Sequence, residues 1–122
     1  MNEKKKTLIL GASENPSRYS FLALQRLQSL QYPVVAIGKK EGRVGNIIIE
    51  KEKKDWKDID TVTLYLNPAH QKEYYDYILS LKPKRIIFNP GAENDELSEM
   101  AARQGIQPVE ACTLVMLSTH QY

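Results

Sequence analysis

A short apolar run that ends in a glycine and is followed by a polar turn is the first place in this chain where chemistry could occur. The stretch TLILGASENPSRYSFLAL, residues 7–24, predicts a strand, a turn from Gly11 to Arg18, and then a helix. Such a turn points backbone N–H groups and the positive end of the helix dipole at one spot, which suits a phosphate. Ser13 and Asn15 could donate hydrogen bonds to a phosphate, and Arg18 could pair with its charge. Plain helix capping is the alternative.

The turn departs from the dinucleotide-binding fingerprint. That fingerprint has glycine at its first, third and sixth positions, where this chain has Gly11, Ser13 and Pro16. Pro16 is acceptable near a helix start because its missing N–H would have no helical partner in any case. The pattern therefore indicates a phosphate-binding turn of another kind.

Two lysines follow the second predicted strand, VVAIG, which ends at Gly38. An NAD site usually has an acidic residue at this point, which accepts hydrogen bonds from a ribose hydroxyl. Lys39 and Lys40 suit a ribose phosphate instead, as in NADP or the 3′-phosphate of coenzyme A, and Arg43 could add to the same field. A solvated basic loop is the alternative.

Two further polar turns end later strands. Asn67 and Pro68 follow TVTLYL, and Asn89, Pro90 and Gly91 follow RIIF. At the second of these turns, Gly91 would allow a ligand to approach the backbone closely, and the next helix start would supply free N–H groups. An ordinary connection from strand to helix is equally compatible with this spacing.

No complete catalytic or metal-binding constellation is recognisable. His70 and His120 are the only histidines, neither stands at a metal-ligand spacing, and no serine lies in a Gly-x-Ser-x-Gly motif. Cys112 is the single cysteine and has no histidine or basic cluster beside it in sequence, so we expect a buried structural thiol. These residues predict a binding protein without catalytic residues or a metal.

The elements that must position these residues alternate along the chain. Helical spacing of apolar residues follows the first strand, recurs from Tyr74 to Leu81, and recurs again after Asn94, a suitable N-cap. Ile47 to Ile49 could add a short extra strand, and the final apolar segment could form a helix over the sheet edge or a partner interface. Strands are predicted at TLIL, VVAIG, TVTLYL, RIIF and IQPVEA.

This alternation predicts an α/β fold with a doubly wound parallel sheet of about five strands. In such a sheet the ligand lies at the carboxyl ends of the strands. The turns that would define the cleft there are Gly11–Arg18, Gly38–Gly45, Asn67–His70 and Asn89–Asn94.

The bulk composition bounds the class of protein. With 122 residues, 42% of them hydrophobic and 26% charged, the chain fits one globular domain over residues 1–122. A net charge of +2 gives little support for a nucleic-acid or membrane partner. The N-terminal residues resemble neither a signal peptide nor a transmembrane span, so the cytoplasm is the expected compartment.

Several segments together resemble the small stand-alone CoA-binding domain proteins, which are similar to the N-terminal domain of the succinyl-CoA synthetase α-subunit. The resemblance covers nearly the whole chain. It is carried by GAS with Pro16 and Arg18, by VVAIGKKEGRVGN, and by FNPGAENDELSEMAARQGI leading into VEACTLVML. It implies a three-layer Rossmann-like fold that binds coenzyme A, with the nucleotide near the first two turns and the pantetheine arm across the sheet edge.

The resemblance also assigns residues to the site. Gly11, Ala12, Ser13 and Arg18 match the family's first binding turn, whereas Lys39 and Lys40 stand where the family often has Asn-Pro. Asn67 and Pro68 lie at its third turn, and Asn89, Pro90 and Gly91 replace a common Gln-x-Gly at its fourth. Cys112 matches a cysteine that is typical of the family but has no assigned role. The histidine-bearing second domain of the synthetase has no counterpart in these residues.

We therefore expect a non-catalytic, regulatory module that binds coenzyme A or an acyl-CoA. The alternatives are an NADP-binding oxidoreductase or enzyme subunit, which the lysines also permit, and a protein-interaction module. The apolar C-terminal segment offers a surface for a homodimer or for another protein partner.

Overall fold

The computed structural model describes residues 4–122, and a single sheet runs through them. Its strands are β1 (Thr7–Ala12), β2 (Val34–Gly38), β3 (Gly42–Val44), β4 (Ile47–Glu50), β5 (Thr61–Leu64), β6 (Arg85–Phe88) and β7 (Gln107–Glu110). The helices are α1 (Tyr19–Ser29), α2 (Pro68–Gln71), α3 (Tyr75–Leu81), α4 (Asp95–Arg103) and α5 (Thr113–Ser118), with a turn of 3₁₀ helix at Lys72–Tyr74.

The sheet is mixed, but only one of its strands runs against the others. The strand order is β3-β4-β2-β1-β5-β6-β7, and every neighbouring pair is parallel except β3 with β4. The prediction of about five strands is therefore wrong, because the sheet has seven. The short extra strand expected at Ile47 to Ile49 is confirmed as β4.

The strand that the sequence did not predict is β3, which forms a hairpin with β4. A two-residue turn at Gly45 and Asn46 joins them, and Gly45 has a positive φ of 60°, as the tight turns of β-hairpins require. Val44 is the only apolar residue of β3 other than its glycine. The sequence therefore carries no alternating pattern that would have indicated a strand there.

The helices cover both faces of the sheet, which makes three layers. Alternate residues of β1 point to opposite faces, so Leu8 and Leu10 join one core and Ile9 joins the other. The first core includes α3 and α4 through Ile78, Leu79, Leu97 and Ala101, and the second includes α1 and α5 through Leu24, Leu27 and Leu117.

The helix predictions are confirmed, with one change at the C-terminus. The Asn94 side chain caps α4 by accepting a hydrogen bond from the Leu97 N–H at 3.1 Å, as N-cap residues do. The final helix, α5, packs on the face of the sheet beside α1 rather than over a sheet edge. It buries Thr113 and Leu117 and leaves Val115 55% exposed.

The charged segment between β4 and β5 crosses the α3 face and is fixed there at several points. Trp56 packs against the core under α3 and α4. The Tyr77 hydroxyl of α3 donates to the Lys54 carbonyl, and the Lys53 ammonium donates to the Glu73 carbonyl at 2.7 Å. The segment is therefore held against the helix layer despite its charge.

Candidate functional site

A cleft of about 1090 Å³ opens at the carboxyl ends of β1, β2 and β5. The chain leaves β1 to form β2 on one side and later returns to form β5 on the other side, so the cleft lies where the strand order reverses. Ligands of open α/β sheets bind at this kind of position. The predicted site residues that line the cleft are Gly11, Ala12, Ser13, Asn15, Arg18, Gly38, Lys39, Lys40, Asn67 and Pro90.

Three predicted site residues, Pro68, Asn89 and Gly91, lie outside this lining. Pro68 is the first residue of α2, behind its N-cap Asn67. A Cβ built on Gly91 would meet none of the described residues within 4 Å, and its φ is 93°. Gly91 therefore permits the positive φ that its turn requires. The backbone N–H groups that follow it do not line the cleft.

Asn89 lies beneath the cleft, 2% exposed, and its amide is occupied by the protein itself. Its Nδ2 donates to the Thr63 hydroxyl at 2.7 Å and to the Leu64 carbonyl at 2.9 Å. Its Oδ1 accepts the Thr113 N–H at 2.8 Å. One side chain therefore connects the ends of β5 and β6 to the start of α5.

The floor of the cleft is backbone that comes unusually close together. Gly11 has a φ of 93° where the register of β1 against β2 shifts, and a Cβ there would lie 2.9 Å from the Tyr65 carbonyl group. A Cβ on Gly38 would lie 2.3 Å from the Ala12 carbonyl oxygen. Larger residues at Gly11 and Gly38 would force the three strand ends apart.

The first turn is shaped by its own side chains. The Asn15 N–H donates to the Ser13 hydroxyl at 3.0 Å, and the Asn15 Oδ1 accepts both the N–H and the hydroxyl of Ser17 at 3.0 and 2.8 Å. Neither Ser13 nor Asn15 caps α1. Its N-cap is Arg18, with extended backbone and no capping hydrogen bond from a side chain of residues 4–122. The first N–H groups of α1 are therefore not used by a side-chain cap, and Tyr19 and Ser20 line the cleft.

The mouth of the cleft is basic. Arg18, Lys39 and Lys40 all line it and are exposed. The ion pairs within the described part of the chain are Lys54 with Glu50, Lys57 with Asp55, and Arg103 with Glu99. The three cations at the mouth thus form no ion pair there, and are available to an anionic ligand.

The opposite wall is more apolar, and of its residues only His70 was predicted from the sequence, within the turn Asn67–His70. It is formed by Tyr65, Leu66, His70, Glu73 and Tyr74. Burial raises the pKa of the Tyr65 phenol, whose hydroxyl finds no hydrogen-bond partner of good geometry among residues 4–122. Tyr65 and Leu66 directly follow β5, so their position after a strand end was a signal that could have found them.

A buried amide joins the third and fourth turns below this wall. The Gln71 Nε2 donates to the Leu66 and Ala92 carbonyls, both at 2.8 Å, and its Oε1 accepts from the Asn94 side chain at 2.9 Å. Asn94 also donates to the Tyr75 hydroxyl at 2.8 Å. Gln71 therefore holds two turns of the cleft at a fixed separation.

Other chemical groups are sparse around the cleft. Cys112 is half-buried at the N-cap of α5, outside the lining. Across residues 4–122, no three His, Cys, Asp or Glu side chains lie close enough together to hold a metal ion. Over the same residues, no helix has both the length and the apolar character needed to cross a membrane.

Comparisons with known proteins give one family model and several similar solved structures. A family model described as CoA binding domain matches residues 5–118. A crystal structure of an uncharacterized protein is 51% identical, with a TM-score of 0.96, over 99% of this chain and 100% of that chain. A hypothetical protein from Pyrococcus horikoshii OT3 is 24% identical, with a TM-score of 0.85, over 95% of this chain and 83% of that one. The structure of cell-free ID.343 from Thermus thermophilus is 19% identical, with a TM-score of 0.84, over 98% and 91%. No curated protein matches the chain.

Proposed function

Because the chain belongs to the CoA-binding domain family, we propose that it binds coenzyme A or an acyl-CoA in the cleft at the ends of β1, β2 and β5. The observation that carries this proposal is the cluster of cations without an ion pair, Arg18, Lys39 and Lys40, at the mouth of that cleft. Coenzyme A carries a pyrophosphate and a 3′-phosphate, and such groups need cations or free N–H donors.

The strand order supports a Rossmann-like assignment. If β3 is set aside, the parallel strands follow the order β4-β2-β1-β5-β6-β7. In chain order this is third, second, first, fourth, fifth, sixth, which is the order of doubly wound dinucleotide-binding folds. The cleft occupies the crevice where these folds take their nucleotides.

The two walls differ in chemistry as the two ends of coenzyme A do. We place the phosphates at the basic wall, beside the Gly11–Arg18 turn and the lysines after β2. We place the uncharged pantetheine arm along Tyr65, Leu66 and Tyr74, whose rings and methyl groups offer apolar surface. The lining residues supply binding groups, so we propose a regulatory rather than a catalytic use of the ligand.

Ligand-induced stabilisation tests the proposal. Thermal unfolding is measured with coenzyme A, NADP and NAD, and a ligand at about 100 times its dissociation constant adds roughly 2.7 kcal/mol of stability. We expect stabilisation by coenzyme A. Stabilisation by NADP alone would favour an oxidoreductase or enzyme subunit, which the lysines also permit.

A response to none of the three nucleotides would favour a protein-interaction module, and native mass spectrometry would then identify any retained ligand. A cytoplasmic location and a homodimer stay predictions from the sequence. Sedimentation equilibrium of the purified chain measures the second.

A further inference from the structure

A single carboxylate connects the two polar turns at the basic side of the cleft. The Glu14 Oε2 accepts the Arg43 N–H at 2.8 Å, across 29 positions of sequence. Glu14 belongs to the turn after β1 and lines the cleft, and Arg43 belongs to β3. The hydrogen bond therefore spans from the first turn to the far end of the loop that carries Lys39 and Lys40.

Gly42 makes room for this contact. A Cβ built on Gly42 would lie 2.4 Å from the Glu14 Cδ and 2.7 Å from its Oε1. Gly42 is not among the glycines with positive φ, so its backbone would accept alanine without strain. The glycine is thus needed for the space that the Glu14 carboxylate occupies, rather than for its own conformation.

The loop is consequently fixed at both ends. Gly38 packs against the Ala12 carbonyl at one end. At the other end, Arg43 is held by the pairing of β3 with β4 and is tied to the first turn by Glu14. Between them, Lys39 and Lys40 are exposed. A loop that is already ordered loses less conformational entropy when a ligand binds to its side chains.

We propose that Glu14 is a positioning residue for the ligand phosphate, since its hydrogen bond to Arg43 holds the loop that presents Lys39 and Lys40 to the cleft. This inference rests on the proposed function. Glu14 is itself an anion near a phosphate-binding surface, so its positioning effect works against its charge. Substitutions can separate the two effects, because glutamine keeps an acceptor oxygen and removes the charge.

The test is calorimetric titration of coenzyme A and of 3′-dephospho-coenzyme A into variants of the full chain. We expect Glu14→Ala to bind coenzyme A about tenfold more weakly than Glu14→Gln, because the loop that carries Lys39 and Lys40 must then be ordered on binding. Gly42→Ala should bind more weakly than the natural sequence for the same reason. Glu14→Gln should bind at least as tightly as the natural sequence. The double variant Glu14→Ala/Gly42→Ala should bind no more weakly than Glu14→Ala alone, because alanine at position 42 then has nothing to displace.

Titration with 3′-dephospho-coenzyme A tests whether the change in affinity depends on the 3′-phosphate. With 3′-dephospho-coenzyme A, we expect the difference between Glu14→Ala and Glu14→Gln to be smaller, because one of the phosphates that we place beside the lysines is missing. Circular dichroism confirms that each variant is folded. Amide hydrogen exchange at Arg43 should accelerate in Glu14→Ala and stay slow in Glu14→Gln.

Two results overturn the positioning role while leaving the proposed function intact. One is equal coenzyme A affinity in Glu14→Ala and Glu14→Gln, which both lack the charge and differ in the acceptor oxygen. The other is a double variant that shows the sum of both single losses. If the natural sequence binds no coenzyme A, the proposed function itself fails, and the role of Glu14 toward that ligand fails with it.

Discussion

At the scale of single residues, the two lysines after β2 are the groups on which the ligand proposal depends most. Lys39 and Lys40 line the mouth of the cleft and form no ion pair with any residue between 4 and 122. Replacing both with alanine should weaken coenzyme A binding about tenfold, since an exposed phosphate contact is worth about the energy of that factor. Isothermal titration measures the change.

Lys84→Ala is the matched control for that prediction, because Lys84 is exposed and precedes β6 at the opposite end of the sheet. It should leave the affinity unchanged. Equal affinities for the natural sequence and the double lysine variant would remove Lys39 and Lys40 from the site.

Asn89 is the predicted site residue whose observed role differs most from the prediction. Its replacement by alanine would leave the Leu64 carbonyl and the Thr113 N–H without a partner in the interior. We expect a loss of about 3 kcal/mol in the free energy of unfolding, because buried polar groups left unpaired are costly. Denaturant titration checks this, with the exposed Gln104→Ala as the control that should change stability by about 0.5 kcal/mol or less. A small effect of Asn89→Ala would argue against its connecting role.

Ten of the thirteen predicted site residues line the cleft, because parallel strands bring their carboxyl ends to one edge. The polar turns could not assign Asn89, whose partners Thr63 and Thr113 stand 26 and 24 positions away. An asparagine after a strand looks the same in the sequence whether its amide faces a ligand or forms hydrogen bonds with the protein interior. Only the packing of α5 distinguishes the two.

At the scale of elements, the attachment of the charged β4–β5 segment to α3 should make the free energy of unfolding depend on pH. Burial raises the pKa of Tyr77 to about 12 from 10.0. An unfolded chain loses this proton near pH 10, whereas the folded chain keeps it to about pH 12. The associated stability is complete below pH 10 and is lost as the pH rises toward 12.

Urea unfolding at neutral pH and at about pH 11 measures this loss. Tyr77→Phe has no proton to release, so its stability should fall less between the two pH values. Tyr19→Phe, at a side chain that is 71% exposed, should fall as much as the natural sequence does. Identical pH dependence in Tyr77→Phe would show that other groups cause the alkaline loss.

The predictability of the elements follows from their patterns. Runs such as VVAIG and RIIF form strands because β-branched and aliphatic residues suit a sheet covered on both faces. β3 was not predicted because it lacks apolar alternation, and its signal was instead the two-residue turn at Gly45 and Asn46, a dipeptide typical of hairpins. The error in strand number is therefore confined to the hairpin.

At the scale of the whole molecule, one sheet separates two cores and belongs to both. Trp56, the only tryptophan, packs on the α3 and α4 side, whereas Tyr32 and Tyr122 meet edge to face on the other side, with ring centroids 5.2 Å apart. Because each core needs the same strands, we expect both to unfold in one cooperative transition. Tryptophan fluorescence and tyrosine near-ultraviolet circular dichroism should give the same midpoint, and separate midpoints would contradict it.

The close approach of backbone at Gly11 and Gly38 has a consequence for changing the ligand preference of this chain. The base of the cleft is made of main chain at these glycines, and the side chains that hold it, such as Asn89 and Gln71, lie outside the cleft lining. Substitutions around the rim can therefore alter which ligand is preferred without moving the backbone at the base of the cleft. This makes the chain a suitable starting point for directed evolution toward other phosphorylated cofactors, with libraries restricted to the rim and the two glycines left unchanged.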